Sequence, residues 1–338
     1  MTYRVGVIGT GIMGKNAVHV WRRHPEVEVV AICSRTLENL RAVARELKVQ
    51  NYYTDHRELL DKEQVDIVHI NTPDSAHCEI SLDALQAGKH VLVEKPMTVN
   101  LAEADEIVRA VKNTGLKYQV SFNHRWLSVY HKVYSDIQAG KLGQCLLGYA
   151  KKNNPIKVPT EWIPWAAETT PAWFLSSHDI DLVRWWVGSD GAEVYATGIK
   201  KVLVERGIDT YDAIQAQVRF KNGFFATFES CWIYANTSPY TPDSYMEIIG
   251  SKGHVFLDRK AEAIEMATQE AYSYPRTFLN YKVFDRWVGA LPACMYSFID
   301  AIKEDREPYV TANDGRAVTA ILDAVHRSLA SGKPEYVN

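Results

Sequence analysis

The stretch Arg4-Val5-Gly6-Val7-Ile8-Gly9-Thr10-Gly11-Ile12-Met13-Gly14 stands near the start of the chain and decides the reading of its fold. Arg4–Gly9 is a short apolar run of strand type. Ile12–Arg23 follows, with Ile12, Ala17, Val20 and Trp21 at helical spacing. Between them lies G-x-G-x-x-G, a pattern with little weight alone and much more where it joins a strand to a helix. Gly9 permits a tight turn, Gly11 lets backbone approach a pyrophosphate, and Gly14 lets the helix pack near the strand. The helix N-terminus favours an anion there. Gly9, Thr10, Gly11, Ile12 and Met13 are therefore the candidate phosphate-binding turn of a dinucleotide site.

The alternation continues downstream. Glu28–Cys33, Asp66–Ile70, His90–Val93 and Tyr118–Phe122 read as strands, and Leu37–Leu47, Ala76–Ala87 and Ala102–Lys112 as helices. This is the pattern of a parallel sheet in an α/β domain. Polar residues follow several strands: Cys33-Ser34-Arg35-Thr36, Asn71-Thr72-Pro73, Glu94-Lys95-Pro96 and Asn123-His124-Arg125. Ligands of doubly wound sheets bind outside the carboxyl ends of the strands, so this convergence supports a nicotinamide dinucleotide. Ser34 and Arg35 stand where an NAD site carries Asp or Glu. A carboxylate would repel a 2′-phosphate, whereas Ser34 and Arg35 can bind one. The cofactor expectation is NAD(P)(H), leaning to NADP(H), with NAD(H) as the alternative.

Past Phe122 the pattern changes. A helix over Val129–Ala139 precedes strands at Cys145–Lys152, Val194–Val204, Ala213–Phe220, Phe224–Cys231, Tyr245–Ile249 and His254–Leu257. Lys221-Asn222-Gly223 is a hairpin signal. Helices are expected at His178–Val187, Met295–Lys303 and Asp314–Ala330. The fold expectation is α/β: a Rossmann domain with a parallel sheet over residues 1–122, then an α/β domain with an open-faced, mostly antiparallel sheet over residues 123–338.

Composition narrows the function. The chain has 338 residues, 46% hydrophobic and 23% charged, with a formal net charge of -3. No basic surface advertises nucleic acid. No apolar run reaches the ~18–20 residues that a membrane span needs, and no secretory leader is recognisable. Cys33, Cys78, Cys145, Cys231 and Cys294 are odd in number and unpaired in spacing, as expected of reduced thiols in the cytoplasm. Neither these nor the histidines form a metal-ligand pattern, so no metal is expected.

With these residues in view, the sequence resembles the glucose-fructose oxidoreductase / inositol dehydrogenase family across almost its whole length. The resemblance rests on Gly6-Val7-Ile8-Gly9-Thr10-Gly11, Thr72-Pro73 followed by His77, Glu94-Lys95-Pro96, His178-Asp179-Ile180-Asp181 and Phe298-Ile299-Asp300-Ala301-Ile302. It implies an NAD(P)-dependent oxidoreductase acting on the CH–OH or carbonyl carbon of a sugar, inositol or related polyol. It also implies a homo-oligomer, dimer or tetramer, often formed through the open sheet, and a last helix (314–330) that packs back on the first domain. Thr72, Pro73, His77, Glu94, Lys95 and Asn123 become cofactor contacts.

Alcohol oxidation needs a base for the hydroxyl proton and a cation near the developing alkoxide. Lys95 matches the family's catalytic lysine and His178 its acid/base histidine. His124 is a candidate substrate contact. Trp165, in the tryptophan-rich segment Trp162-Ile163-Pro164-Trp165, could stack on a sugar face. One position departs from the family pattern: Phe174 stands four residues before His178, where many members carry an aspartate. Asp181, three residues after His178, could share its helix face and either orient it, touch substrate or serve structure. Two further readings use the same residues: a glycoside-cleaving enzyme that recycles its hydride, and a dinucleotide-binding sensor without chemistry.

Overall fold

A computed structural model describes residues 2–260 and 262–338. The chain forms two compact units: Met1–Asn123 with Asn280–Arg316, and His124–Leu279 with Ala317–Asn338.

In the first unit the elements run β1 (Tyr3–Ile8), α1 (Ile12–Trp21), β2 (Val27–Cys33), α2 (Leu37–Leu47), β3 (Asn51–Tyr53), α3 (His56–Lys62), β4 (Ile67–Ile70), α4 (His77–Gln86), β5 (His90–Val93), α5 (Leu101–Thr114) and β6 (Tyr118–Val120). The strands pair in parallel in the order β3-β2-β1-β4-β5-β6. The order reverses between β1 and β4, which puts the topological switch point beside the glycine turn. β3 and α3 lie in the stretch that hydrophobic pattern left unassigned. β3 has only three residues, none fully buried. α3 begins where the Asp55 carboxylate accepts from Arg57 N at 2.9 Å, a cap that satisfies one of the free amides of a helix start.

The second unit opens with α6 (Ser128–Gln138) and β7 (Cys145–Pro155). Then come α7 (Ser177–Val187), β8 (Gly191–Ile199), β9 (Ala213–Phe220), β10 (Phe225–Tyr234), β11 (Asp243–Gly250), β12 (His254–Asp258) and the short pair β13 (Met266–Ala267) and β14 (Tyr272–Ser273). Its sheet has the order β12-β11-β7-β10-β9-β8, with β17 (Glu335–Tyr336) on the β8 edge. β7 and β10 run parallel; the other neighbours are antiparallel. β8 stops at Ile199 rather than Val204. The Asp212 carboxylate accepts from the backbone amides of Lys201, Val202 and Leu203 at 2.8–2.9 Å, which turns the chain out of the ladder.

The chain then returns to the first unit with β15 (Tyr281–Val283), β16 (Arg286–Val288) and α8 (Ala290–Lys303). Leu291, Met295, Phe298 and Ile299 of α8, at helical spacing, join Val5, Val7, Ile32, Trp21 and Leu40 in one buried core. The returning helix was expected at 314–330. The final helix α9 (Ala312–Ser331) instead belongs to the first unit only through Arg316 and to the second from Ala317. Leu291, Met295, Phe298 and Ile299 lie in the Rossmann core, so α8 is the helix that covers it. In the second unit, Ser328 Oγ of α9 accepts from Ala196 N at 2.9 Å, and His326 stacks on Trp173 with ring centroids 5.1 Å apart.

Candidate active site

In the first unit the glycine turn has the geometry its sequence called for. Gly9 has φ +96°, a conformation L side chains rarely adopt, and a Cβ there would overlap the Asn71 carbonyl. A Cβ on Gly14 would overlap the Gly9 carbonyl oxygen, so this glycine sets the approach of α1 to β1. At Gly11 a Cβ would meet nothing within 4 Å. The space over Gly11 is open, and no side chain caps the α1 amides there. Thr10 and Met13 are half-buried and Ile12 is exposed beside this opening. The turn therefore presents free N–H groups over a cradle without Cβ atoms, as a pyrophosphate requires.

The neighbouring strand ends are polar and unsatisfied. Among the described residues, Asn71 Oδ1, Thr72 Oγ1, Glu94 Oε1 and Asn123 Oδ1 are buried without a hydrogen-bond partner. Buried polar groups are normally paired, so four such atoms at the carboxyl ends of β4, β5 and β6 point to a ligand that completes them. Glu94 Oε2 accepts from Lys95 N at 3.3 Å, and burial pushes the Glu94 carboxyl above its ordinary range. Lys95 is half-buried directly after β5. His77 is fully buried, with Nδ1 2.7 Å from the Pro96 carbonyl oxygen and Nε2 3.0 Å from that of Thr72. Neutral His77 has one N–H to donate to one of these carbonyls and packs against the other, which seats it between the Thr72-Pro73 and Lys95-Pro96 loops. At the end of β2, Ser34 is half-buried, its N–H donating to the Tyr53 carbonyl at 3.1 Å, and Arg35 is exposed.

In the second unit His124 and His178 stack with centroids 4.0 Å apart and planes 13° from parallel. His124 is 5% exposed. Burial, aided by His178, Lys152, Arg259 and Arg276, pushes its pKa well below the ordinary value, so it is a neutral imidazole. His178 lies in the first turn of α7 and is half-buried. One residue on, Asp179 Oδ1 accepts from Lys152 Nζ at 2.5 Å, with side-chain exposures of 1% and 2%. Burial pushes Lys152 down to about 8 and Asp179 up, each toward its neutral form, against the attraction of the pair. A buried carboxylate thus directly follows His178 in the chain, bound to Lys152.

Asp181 lies elsewhere. Its two oxygens accept from Arg125 Nε at 2.9 Å and Nη2 at 2.6 Å, and both side chains are buried. That is the geometry of a brace between α7 and the segment after β6, not of a group open to substrate. Phe174 sits in an apolar cluster with Leu175, Leu203 and Trp232, its ring 6.1 Å from that of the half-buried Trp165. Pattern reading did not single out Lys152, Asp179 or Arg259. The available signal for Lys152 was strand parity: in Lys151-Lys152 the two side chains must face opposite sides, so one lysine of the pair points inward.

Comparison with known proteins follows the same division. Residues 3–122 match the model of the oxidoreductase family with NAD-binding Rossmann fold, and residues 135–338 that of its C-terminal alpha/beta domain. The chain is 27% identical over 331 residues to myo-inositol 2-dehydrogenase of Thermotoga maritima, covering 96% of each. It is 28% identical over 338 residues to scyllo-inositol 2-dehydrogenase (NAD(+)) of Bacillus subtilis, covering 98% of this chain and 95% of that protein. In fold it is similar to scyllo-inositol dehydrogenase from Lactobacillus casei, solved with bound NAD(H) and scyllo-inositol, with TM-score 0.85 and 22% identity over 100% of this chain and 99% of that one. The glycine turn, the strand-end residues and both matched domains agree: this chain is an NAD-binding oxidoreductase and belongs to the family that inositol dehydrogenases share.

Proposed function

We propose that the protein transfers hydride between a nicotinamide cofactor and a CH–OH or carbonyl carbon of a sugar, inositol or related polyol. The observation that carries this reading is the set of unpartnered buried atoms at the ends of β4, β5 and β6 beside the open, uncapped glycine turn. The names of the relatives point to the same substrate class. The cofactor, when bound, supplies the hydride acceptor or donor. Gly9, Thr10, Gly11, Ile12 and Met13 hold its pyrophosphate, and Thr72, Pro73, Glu94 and Asn123 line its further course. Ser34 and Arg35 take the adenosine ribose, and the lack of a carboxylate after β2 favours a 2′-phosphate there.

Lys95 hydrogen-bonds the reacting hydroxyl and stabilises the developing alkoxide; His178 takes the proton. His124, neutral and stacked on His178, fixes the plane of that ring. His77 and Asp181 act as positioning residues through the loops and helix they tie. Trp165 is a substrate contact through its ring face. The protein works in the cytoplasm as a homo-oligomer built through the outer face of the second-unit sheet, where Tyr195, Ile199, Phe225 and Phe256 are exposed.

The test is fluorescence-detected titration with NADPH and NADH, followed by a polyol panel assayed with wild type and Lys95→Ala. Binding of either cofactor, with turnover in wild type and loss of at least about 10²-fold in the variant at unchanged cofactor affinity, is the expected result. Cofactor binding without turnover of any polyol would overturn it in favour of a sensor.

A further inference from the structure

The inner face of the second-unit sheet is apolar over most of its area, with Val194, Ala216, Val218, Ala226, Phe228, Ala150, Met246 and Ile248 all buried. One row breaks this pattern. Strand register sets Ser230 of β10 beside Lys152 of β7 and Lys152 beside Ser244 of β11. Arg259 follows β12, and its N–H donates to the Ser244 carbonyl at 2.9 Å. Ser230, Lys152 and Ser244 therefore lie side by side on three neighbouring strands, with Arg259 next in the row just past β12, and all are at most 5% exposed.

The row has spare donors. Among the described residues, Ser230 Oγ, Ser244 Oγ and Arg259 Nη2 are buried without a partner. Arg259 Nε donates to Tyr130 Oη at 3.0 Å and Nη1 to Glu262 Oε1 at 3.1 Å, so its third arm alone is left over. The row also adjoins the histidine pair. The Arg259 guanidinium stands 5.4 Å from the Tyr130 ring centroid, and that ring stands 5.8 Å from His124.

Charge does not balance in this cluster. Lys152, Arg259 and Arg276 are cationic. Asp179 answers Lys152, and Glu262 answers both arginines, with Arg276 Nε 3.4 Å from the same oxygen that Arg259 reaches. Glu262 is further occupied by the amides of Thr277 and Phe278 at 2.7 and 2.8 Å. Arg125 and Asp181 cancel each other, as do Lys151 and Asp243 on the outer face. One positive charge is left over in a largely buried site, an arrangement that costs free energy until an anion completes it.

We propose that the Ser230–Lys152–Ser244–Arg259 row binds the carboxylate of an acidic substrate, so that the natural substrate is a sugar acid rather than a neutral cyclitol. The surplus of one charge fits a monoanionic carboxylate better than a phosphate dianion. A planar carboxylate also matches the free edge of a guanidinium. The proposal names the substrate class of the dehydrogenase reading above and rests on it for turnover, though not for binding.

The experiment pairs each neutral sugar with its acid: D-glucose with D-glucuronate, D-galactose with D-galacturonate, and myo-inositol as the neutral cyclitol. Initial rates with NAD and NADP are measured alongside the shift in melting temperature that each compound causes. For wild type the acid of a pair is expected to exceed its neutral partner at least about tenfold in kcat/KM, the scale of a charged hydrogen bond. Added salt and Arg259→Met should both shrink that ratio, with Arg259→Lys intermediate. A neutral member equal to or better than its acid in wild type overturns the proposal and leaves the dehydrogenase reading standing. So does an acid preference that Arg259→Met leaves intact. If no compound turns over but uronates alone raise the melting temperature, the carboxylate site stands and the dehydrogenase reading fails. If no acid is oxidised and none raises the melting temperature, the carboxylate site is overturned.

Discussion

Lys152 and Asp179 show what a single buried pair demands of its surroundings. Both are almost without solvent, and removing one partner strands the other. Lys152→Met is expected to destabilise the protein by about 3–5 kcal/mol, and Lys152→Met with Asp179→Leu to recover much of that loss, because an apolar pair needs no solvation. Urea unfolding of the two variants against wild type checks this. His69 makes the matching case for pH. Trp21 Nε1 donates to His69 Nδ1 at 3.1 Å in the first-unit core, and burial pushes the histidine from 6.5 down to about 3. Its folded pKa lies below its unfolded one, so the stability it contributes is complete above pH 6.5 and drains away as pH falls toward 3. His69→Gln keeps an acceptor for Trp21 but cannot titrate. Its stability should therefore fall less steeply between those pH values, by up to about 1.4 kcal/mol per pH unit. A slope equal to that of wild type would exclude His69 as the acid-labile group.

At the scale of elements, the glycine turn separates a folding role from a binding role within six residues. Gly14→Ala drives a methyl into the Gly9 carbonyl and is expected to lower the melting temperature sharply or abolish soluble expression. Gly11→Ala meets open space. It should melt as wild type does without cofactor while binding NADPH or NADH at least about tenfold more weakly, since the methyl occupies the approach to the amides. Thermal melts with and without cofactor read both effects. This turn was legible in sequence because all its physics is local: a strand, the turn glycines Gly9, Gly11 and Gly14, and a helix start within eleven residues. The same holds for the strand ends that carry Thr72, Glu94, Lys95 and Asn123. The polar row on the second sheet was not legible. Lys152, Ser230, Ser244 and Arg259 become neighbours only through strand register, and no periodicity in one segment reports on its partner. β3 and the early end of β8 escaped for smaller reasons, one being three residues long and the other ending on a carboxylate from Asp212.

Over the whole molecule, the parallel sheet, the mixed sheet and the family were readable, and the path of the chain between them was not. A boundary at 122 follows from the change of pattern there. Nothing in the pattern says that residues 280–316 go back, since an amphipathic helix does not name the sheet it will cover. The outer face of the second sheet keeps Tyr195, Ile199, Phe225 and Phe256 in solvent, more apolar surface than a sheet needs if that face stays wet. Tyr195→Lys with Phe256→Lys is expected to reduce the particle mass measured by light scattering to that of one chain of 38.3 kDa. A wild-type mass already at that value would sink the oligomer proposal.

The return of α8 also sets the order in which the protein is made. Translation delivers β1 through β6 early, but Phe298 and Ile299, which close the core around Trp21 and Leu40, are among the later residues to leave the ribosome. Until Lys303 has emerged, the Rossmann unit waits with one greasy flank open, while His124–Leu279 is synthesised and itself still lacks Ala317–Asn338. The two units are thus interleaved along the chain, and the last piece of the second, Ala317–Asn338, is made last of all. A nascent chain stalled anywhere inside His124–Leu279 carries a phosphate-binding turn on a half-built sheet, a natural client for chaperones.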